Sequence, residues 1–369
     1  QYWQEAADSH ERTVTRRSGD PGQTLPRGLR GIWTRSPRRW QFRPSRLSPR
    51  VSTSRQRYHP AVKPFLLVNS GSGGGKAQAA ILEVAVARGI AHHVTQPGDD
   101  FTAILAGAVA DGADVLAAAG GDGTLSTTAD FAMLHDLPMI VVPAGTRNHF
   151  ALDLGLDLDD PAGVLTACLT GGHERRVDVG RVNRSLFLNN VSLGIYPAAV
   201  SSDDYRRHKA KALVQAASEA VSPDRGGSAT LTLQLPETAL VGPQTPTGVV
   251  LVSNNAYAPT FAPGSRIRPR LDAGEVWVYV GGGVADKESR LAAVEHAVHA
   301  VFSQELLRAA FGTTRFAVNA DRPDIPIAVD GEVRSDLTAP FVFASEPGGL
   351  RVLVPADPSA EAVSITLEW

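Results

Sequence analysis

The sequence predicts two domains: a doubly wound α/β domain built on a parallel sheet, then a β-rich domain. In residues 62–173, short apolar runs alternate with segments whose apolar residues recur at helical spacing. This alternation is typical of a parallel sheet with helices on both faces. From residue 174 the alternation stops and extended segments predominate, which favours antiparallel β structure. We therefore place the domain boundary between residues 173 and 174 and expect a cleft between the domains.

The elements of the first domain follow one another as strand, loop and helix. Each predicted strand is a short apolar run, and each predicted helix repeats apolar residues every three or four positions. Turn residues, above all glycine, separate these runs. The predicted strands are 62–69, 91–96, 113–119 and 138–143, and the predicted helices are 77–89, 101–110 and 125–135.

The second domain is predicted from extended segments interrupted by two stretches with helical periodicity. The interruptions, Asp204–Ala220 and Ala285–Phe311, exclude a pure β-sandwich, so we expect helices on one edge of this domain. The extended segments are 175–182, 185–193, 229–235, 248–255, 275–281, 325–331 and 350–355.

The composition is that of a globular enzyme held together without disulfides. Hydrophobic residues make up 43% of the 369 residues and charged residues 20%, which excludes a disordered, collagen-like or coiled-coil chain. Cys168 is the single cysteine, so neither an intramolecular disulfide nor a multi-cysteine zinc site can form. The sequence predicts no membrane-spanning segment and no export signal. We expect a cytoplasmic protein in a reducing compartment.

Residues 1–60 differ from the rest of the chain in charge and pattern. They contain 13 Arg and no Lys against 4 acidic residues, a net charge of +9, whereas the remaining residues carry −11. They show neither helical nor strand periodicity, so we predict a disordered basic arm. The arm could lie on anionic lipid or be an extension without a role. The acidic body excludes sequence-independent nucleic-acid binding.

Asn69–Lys76 connects the first strand to the first helix and is rich in glycine and serine. Glycines let backbone N–H groups approach a phosphate at a helix N-terminus, and Lys76 could add a positive charge. The loop is not a Walker A motif, because Ser70 stands at its first glycine and Ala77 follows the lysine, and it does not match the dinucleotide fingerprint. Its residues alone are as consistent with a flexible turn as with a phosphate cradle.

Gly120–Thr124 follows the strand 113–119 and places one carboxylate among three glycines. The glycines would admit a polyphosphate, Thr124 could donate to it, and Asp122 could hold Mg²⁺ or accept a hydroxyl proton. An ordinary β-turn is the alternative. A third polar loop, Pro143–Phe150, follows the next apolar strand. Because the carboxyl ends of parallel strands share one edge of the sheet, we expect the three loops to converge there.

Three motifs in this order resemble the diacylglycerol kinase catalytic-domain family, which includes sphingosine kinases and bacterial lipid kinases: an Asn-x-x-Ser-Gly-like loop, GGDGT, and P-x-G-T-x-N. The resemblance continues through FLNNVSLGIYPAAV, RHKAKAL, Asp272–Glu275 and VDGEV, and so covers nearly everything after residue 60. It implies a nucleotide-binding α/β domain followed by a β-sandwich-like domain. It also implies ATP and Mg²⁺ in the cleft between them and a lipid hydroxyl as phosphate acceptor.

The resemblance further implies roles for individual residues. Glu332 matches the position of the general base, which would take the proton of the acceptor hydroxyl. Asp122 would orient metal, water or hydroxyl. Asp330 would position Glu332, share the metal network, or serve as a hairpin turn residue. Nucleotide contacts are implied at Asn69, Ser70, Gly71, Ser72, Gly73, Lys76, Thr95, Gly120, Gly121, Asp122, Gly123, Thr124, Ser126, Gly145, Thr146 and Asn148.

The chain departs from the family pattern at two positions. Ser70 stands where proline is usual, which is expected to change the stiffness of the first loop more than its contacts. His149 stands where the third loop usually has aspartate, so an imidazole replaces an expected carboxylate. Either the metal network differs, or activity is reduced, or His149 has a structural role at the following helix.

The leading interpretation is an ATP-dependent kinase of diacylglycerol or a sphingoid-type lipid alcohol that works peripherally at the membrane. NAD kinase also carries GGDGT, but the third loop and FLNNVSLG favour a lipid kinase. A nucleotide- or lipid-binding protein that has lost catalysis is the third interpretation, because His149 replaces an acid. The sequence leaves the acceptor lipid open, and it leaves a homodimer open as well.

Overall fold

The computed structural model describes residues 29–36, 39–44, 62–72, 75–146, 148–194, 231–234, 249–258, 267–281, 307–321, 325 and 327–356. They form two β-sheets, with helices packed against the first.

The bounds of the described helices and strands are as follows. The helices are α1 (Gly75–Ala87), α2 (Phe101–Ala110), α3 (Asp122–Leu134), α4 (His149–Asp153) and α5 (Pro161–Gly171). The strands are β1 (Leu29–Ser36), β2 (Arg39–Pro44), β3 (Pro64–Val68), β4 (Ala91–Val94), β5 (Val115–Gly120), β6 (Met139–Pro143), β7 (His173–Val182), β8 (Ser185–Phe187), β9 (Asn190–Gly194), β10 (Leu231–Gln234), β11 (Val249–Asn254), β12 (Val276–Gly281), β13 (Leu307–Thr313), β14 (Arg315–Ala320), β15 (Ile327–Val329), β16 (Glu332–Val333) and β17 (Phe341–Val354).

The parallel part of the first sheet has the strand order β6-β5-β3-β4 and confirms the predicted α/β domain. All residues of β5 and β6 are buried, because a strand covered by helices on both faces must be apolar throughout. Val68 pairs with Ala119, and Gly120 pairs with Pro143. The strands β3, β5 and β6 therefore end at one level, and the loops that follow them begin side by side.

The helix α3 begins three residues earlier than predicted, at Asp122 rather than Leu125. The residues Asp122–Thr124 thus form its first turn instead of a separate loop, with Gly121 as the N-cap. This position puts the backbone N–H groups of the motif at a helix N-terminus, where they have no intrahelical partner.

The long strand β17 joins the two halves of the chain. Its carboxyl-terminal part pairs in parallel with β6, where Val352 lies opposite Met139, and it pairs antiparallel with β7 and β14. The last described strand therefore completes the sheet of the first domain. The predicted boundary at 173/174 lies at the first residues of β7, within this continuous sheet.

The second sheet is antiparallel throughout, with the order β16-β15-β9-β11-β12-β13-β1-β2. It shares a buried apolar cluster with the antiparallel strands of the first sheet, so that Val250 and Val278 of one layer and Phe316 and Phe343 of the other belong to the same core. The Phe316 and Phe343 rings stack with centroids 4.8 Å apart. The two layers confirm a β-rich second domain with a sandwich-like core.

Two sequence-based expectations are wrong in part. Residues 29–36 and 39–44 form β1 and β2, although the whole segment 1–60 was expected to be disordered. β1 pairs with β13 and β2 pairs with β1, so the second sheet supplies the hydrogen bonds of these strands. Residues 307–311 belong to β13 rather than to a helix, because pairing with β12 overrides local periodicity. The rest of both predicted helices lies outside the described residues.

In the part of the chain that the structure describes, the longest helices have 13 residues, and none is long and apolar enough to cross a membrane.

Candidate active site

The first and second polar loops are joined by hydrogen bonds. Asn69 Nδ2 donates to Thr124 Oγ1 over 2.7 Å, and Gly121 N donates to Ser72 Oγ over 3.3 Å. Asn69 N also donates to Ala119 O of β5 over 2.8 Å. The loop after β3 is therefore fixed onto the start of α3.

The second and third loops meet at a pair of glycines. A β-carbon built on Gly145 would lie 2.6 Å from Gly121 Cα and 3.1 Å from Gly120 O, and the first distance is shorter than a side chain tolerates. Asn148 shapes the third loop, because its side chain accepts from Gly145 N at 2.8 Å and donates to Gly145 O at 2.9 Å. The three loops thus meet at one edge of the sheet. We call residues 69–72, 120–124, 145, 146 and 148 the loop edge.

Ser70 and Thr95 fasten the outer side of the first loop. Ser70 Oγ donates to Thr95 O over 2.5 Å, and Ser70 N donates to Thr95 Oγ1 over 3.3 Å. Proline, which has neither an N–H group nor a hydroxyl, could make neither bond. Serine at this position therefore changes the contacts of the loop, and not only its stiffness. Thr95 is buried, and its two hydrogen bonds to Ser70 hold the first loop in place.

Other predicted nucleotide contacts are placed only in part. Thr146 is exposed at the loop edge. Gly73 lies outside the described residues, and Lys76 is described only as backbone in the first turn of α1. Ser126 lies in α3, but its hydroxyl donates to Asp330 Oδ2 over 2.7 Å.

Asp122 occupies the first turn of α3. Unpaired backbone N–H groups and the helix dipole make this end of a helix favourable for anions. Burial raises the pKa of the Asp330 carboxyl, and the nearby charge of Asp122 raises it further. The Asp122 carboxylate therefore lies at the loop edge, on a helix end that is favourable for anions.

Glu332 reaches the loop edge from the second sheet. It lies on β16, which forms a hairpin with β15, and it pairs with Val329 across the hairpin turn. A β-carbon built on Gly123 would lie 2.9 Å from Glu332 Cδ, so the carboxylate rests against the first turn of α3. Glu332 is exposed, so its carboxylate is open to solvent. Glycine at position 123 leaves the space that this carboxylate occupies.

The hairpin turn consists of Asp330 and Gly331. Their φ angles are +48° and +88°, and two successive residues with positive φ are characteristic of a type I′ turn. Asp330 is therefore a turn residue, which was one of the predicted roles.

Asp330 also anchors this turn through its side chain. Its carboxylate accepts four hydrogen bonds, two on each oxygen. The donors are Ser126 Oγ at 2.7 Å and the backbone N–H groups of Leu188, Asn189 and Asn190 at 2.8, 2.8 and 3.0 Å. Asp330 thus ties α3, the β8–β9 connection and the Glu332 hairpin together, which favours a positioning role over direct metal binding.

Part of the chain matches a family of known proteins. Residues 63–182 match the family model of the diacylglycerol kinase catalytic domain. The resemblance to this family is confirmed. The matched residues, called the kinase-family segment below, contain the whole loop edge. They do not contain Asp330 or Glu332, which the second domain contributes.

Two curated relatives match part of the chain. A diacylglycerol kinase of Mycobacterium tuberculosis (strain CDC 1551 / Oshkosh) is 32% identical over 138 residues, which are 36% of this chain and 44% of that protein. A probable YegS-like lipid kinase of Pseudomonas aeruginosa (strain PAO1) is 33% identical over 149 residues, 38% of this chain and 48% of that protein. The chain therefore matches less than half the length of these relatives.

A crystal structure of a diacylglycerol kinase from Bacillus anthracis str. Sterne extends the likeness in fold. It has a TM-score of 0.56 and 18% identity, and the match covers 81% of this chain and 98% of that chain. The shared fold therefore includes the β-rich domain as well as the kinase-family segment.

The donor set at the loop edge is compatible with Mg²⁺. In the residues that are described, no three or more His, Cys, Asp or Glu side chains form a metal-binding group. Mg²⁺ needs no such cage, because it is often held by one or two carboxylates together with substrate phosphates. Asp122 is the carboxylate placed for that role, since Asp330 already accepts four hydrogen bonds.

Sequence reasoning missed a buried ion pair between Asp153 of the kinase-family segment and Arg268 of the second domain. The two side chains are paired although they lie 115 positions apart. No short motif joins them, and Arg270, two positions later, is a half-exposed surface residue. Only the pairing itself distinguishes Arg268 from its neighbour.

Proposed function

We propose that the chain is an ATP-dependent lipid kinase that transfers the γ-phosphoryl group to the hydroxyl of diacylglycerol or a related lipid alcohol. The contact between Glu332 and Gly123 carries the proposal, because it joins a proton acceptor to a glycine-rich loop at a helix N-terminus. Phosphoryl transfer to an alcohol requires these two components. The relatives named diacylglycerol kinase and lipid kinase support the same reaction class.

In this proposal, the loop edge binds the triphosphate of ATP. The backbone N–H groups at the start of α3 point toward the phosphates, and Gly121, whose β-carbon position has no atom closer than 3.9 Å, allows close approach. The Asn69–Thr124 hydrogen bond and the Asn148–Gly145 pair hold the loops in shape before the nucleotide arrives. Mg²⁺ held by Asp122 would neutralise charge on the phosphate oxygens.

Glu332 is the general base in this proposal. Its carboxylate takes the proton of the lipid hydroxyl, and the hydroxyl oxygen forms a bond to the γ-phosphorus while the bond to the β,γ-bridging oxygen breaks. ADP leaves and the lipid becomes a phosphomonoester. Asp330 keeps the hairpin in place, so that the carboxylate stays against Gly123. Because the acceptor lipid resides in a membrane, we propose that the protein works at the membrane surface.

Transfer of label from γ-labelled ATP tests this function. Purified protein is incubated with Mg²⁺ and labelled ATP, in separate reactions with diacylglycerol, a sphingoid base, a total lipid extract and NAD⁺. We expect a labelled phosphomonoester in at least one lipid reaction and none from NAD⁺. Label on NAD⁺ alone would replace this proposal with an NAD kinase. Saturable ATP binding without label in any product would replace it with a binding protein.

The binding protein is the second candidate because His149 begins α4, where the family resemblance predicts aspartate. The substitution His149→Asp separates the two candidates. If the histidine has impaired catalysis, the variant should transfer phosphate at least ~10²-fold faster than the wild type, which is the low end of what one general acid–base group contributes. An active wild type whose turnover does not rise in this variant would remove the second candidate.

A further inference from the structure

The Arg268 side chain is buried, and the mechanism above does not use it. Its side chain is 0% exposed and that of its partner Asp153 is 2% exposed. Arg268 Nη2 lies 2.6 Å from Asp153 Oδ2, and Arg268 Nε and N donate to the two carboxylate oxygens, each over 2.8 Å. Asp153 is the last residue of α4, so Arg268 is fixed to the helix that follows the third loop.

The other side of the guanidinium faces the connection between β8 and β9. Arg268 Nη1 donates to Leu188 O over 2.6 Å and to Asn254 O over 2.8 Å. Nη2 donates to Asn189 Oδ1 over 3.0 Å. We call Arg268, Asp153, Leu188, Asn189 and Asn254 the Arg268 cluster. Because a guanidinium carries five N–H donors in a fixed plane, one side chain joins α4, the 188–189 segment and the end of β11.

The segment that Arg268 holds is the same segment that holds Asp330. Leu188 O and Asn189 N belong to one peptide group. Its oxygen accepts from Arg268 Nη1, and its N–H group donates to Asp330 Oδ1 over 2.8 Å. A peptide group is planar and rigid, so the position of the guanidinium on one side constrains the position of the Asp330 carboxylate on the other.

We propose that Arg268 is a positioning residue for Glu332. Through the 188–189 peptide group and Asp330, it fixes the hairpin turn and thereby places the Glu332 carboxylate against Gly123. The proposal rests on the role of Glu332 as the general base. A lysine at position 268 would keep the positive charge, but it presents its donors from a single atom, so it cannot hold Asp153 and Leu188 O together.

Hydrogen exchange tests the structural part of this proposal without any assay of activity. In Arg268→Lys, the amides of 188–190 and of 330–332 should exchange at least ~10-fold faster than in the wild type, because the local opening that exposes them becomes easier. Faster exchange at 188–190 with unchanged exchange at 330–332 would overturn the proposal, since the hairpin would then not depend on Arg268.

The matched control is Arg351→Lys. Arg351 forms a two-point pair with Glu174, and Glu174 lies opposite Leu353, which pairs with Ile140 near the start of β6. This pair is at the far end of β6 from the loop edge. The same chemical change should leave exchange at 188–190 and 330–332 at wild-type rates, and a change there would show that the effect is not specific to Arg268.

Turnover tests the functional part. Arg268→Lys should lower kcat by on the order of 10²-fold, as a small misplacement of a catalytic group does, while the ATP dissociation constant stays unchanged. In an enzyme that already carries Glu332→Gln, Arg268→Lys should have no further effect, because the carboxylate that it positions is absent. Additive losses would overturn the proposal, since they would show that Arg268 acts on another step.

Asp153→Asn keeps the proposal testable if Arg268→Lys does not fold. The substitution removes the carboxylate charge that holds the guanidinium and hardly changes the volume of the side chain. Amide exchange at 188–190 and 330–332 should accelerate by a smaller factor than in Arg268→Lys. A wild type that phosphorylates no lipid would refute the proposed function. The exchange pattern would then still decide whether Arg268 holds the Glu332 hairpin.

Discussion

The loop edge and the Arg268 cluster are built from opposite kinds of contact. In the loop edge, neighbours in sequence shape each loop, as when Asn148 holds Gly145 three positions away, and strand register brings the loops together. In the Arg268 cluster, the bonds from Arg268 to Asp153, Leu188 and Asn189 join residues 115, 80 and 79 positions apart. The difference separates a surface proposed to bind nucleotide from a support proposed to position Glu332, and variants can affect one without the other.

The largest expected effect comes from Glu332→Gln. Removing the proton acceptor should lower turnover by ~10²-fold to ~10⁴-fold, the usual contribution of a general base, because glutamine keeps the shape and cannot take the proton. The ATP dissociation constant should not change, since the loop edge is intact. Steady-state transfer of label and equilibrium ATP binding measure the two quantities. Glu174→Gln, which alters a carboxylate far from the site, is the control and should behave as wild type.

Gly145→Ala should instead lower the affinity for ATP. Its β-carbon would lie 2.6 Å from Gly121 Cα, so the second and third loops must separate. Overpacking of this kind costs about 1–3 kcal/mol, which corresponds to ATP binding weakened by ~10-fold to ~100-fold. Calorimetric titration with ATP measures it. ATP affinity equal to that of the wild type would show that the contact between these loops is irrelevant to the nucleotide.

Gly123→Ala differs from Gly145→Ala, because its β-carbon meets a movable side chain rather than backbone. The Glu332 carboxylate must shift, so turnover should fall by ~10-fold or more while the melting temperature and ATP affinity change little. Gly107→Ala in α2 is the matched control, since nothing lies within 4 Å of its β-carbon. It should stabilise the fold by about 0.5–1 kcal/mol and leave turnover unchanged.

The smallest effect is the pH dependence that Asp330 gives to the free energy of unfolding, and Asp330→Asn tests it. Burial raises the pKa of Asp330 in the folded protein, so the folded state keeps a proton that the unfolded state, with a pKa of about 3.9, has lost. The wild-type free energy of unfolding should therefore decline as the pH rises from about 4, and this decline should be shallower in the variant. Urea unfolding at several pH values compares the slopes. Equal slopes would contradict the raised pKa.

The loop edge could be predicted because each of its parts is a local pattern. Apolar strands followed by glycine loops predict that the loops meet at one edge of a parallel sheet, and the family motifs select Glu332. The sequence did not reveal that Ser126 and three backbone amides would donate hydrogen bonds to the Asp330 carboxylate, since these donors come from distant segments. β1 and β2 were missed for a similar reason: their hydrogen-bond partner, β13, is far away in sequence and was itself predicted to be helical.

The distance between bound nucleotide and Glu332 is the direct test of whether ATP binds at the loop edge beside this carboxylate. In protein labelled at its glutamate carboxyl carbons, Mn²⁺–ATP should broaden the Glu332 signal, which is assigned by its loss in Glu332→Gln, and leave that of Glu174 sharp. Saturable binding of Mn²⁺–ATP with an unbroadened Glu332 signal would contradict the account, because nucleotide and carboxylate would then occupy different places.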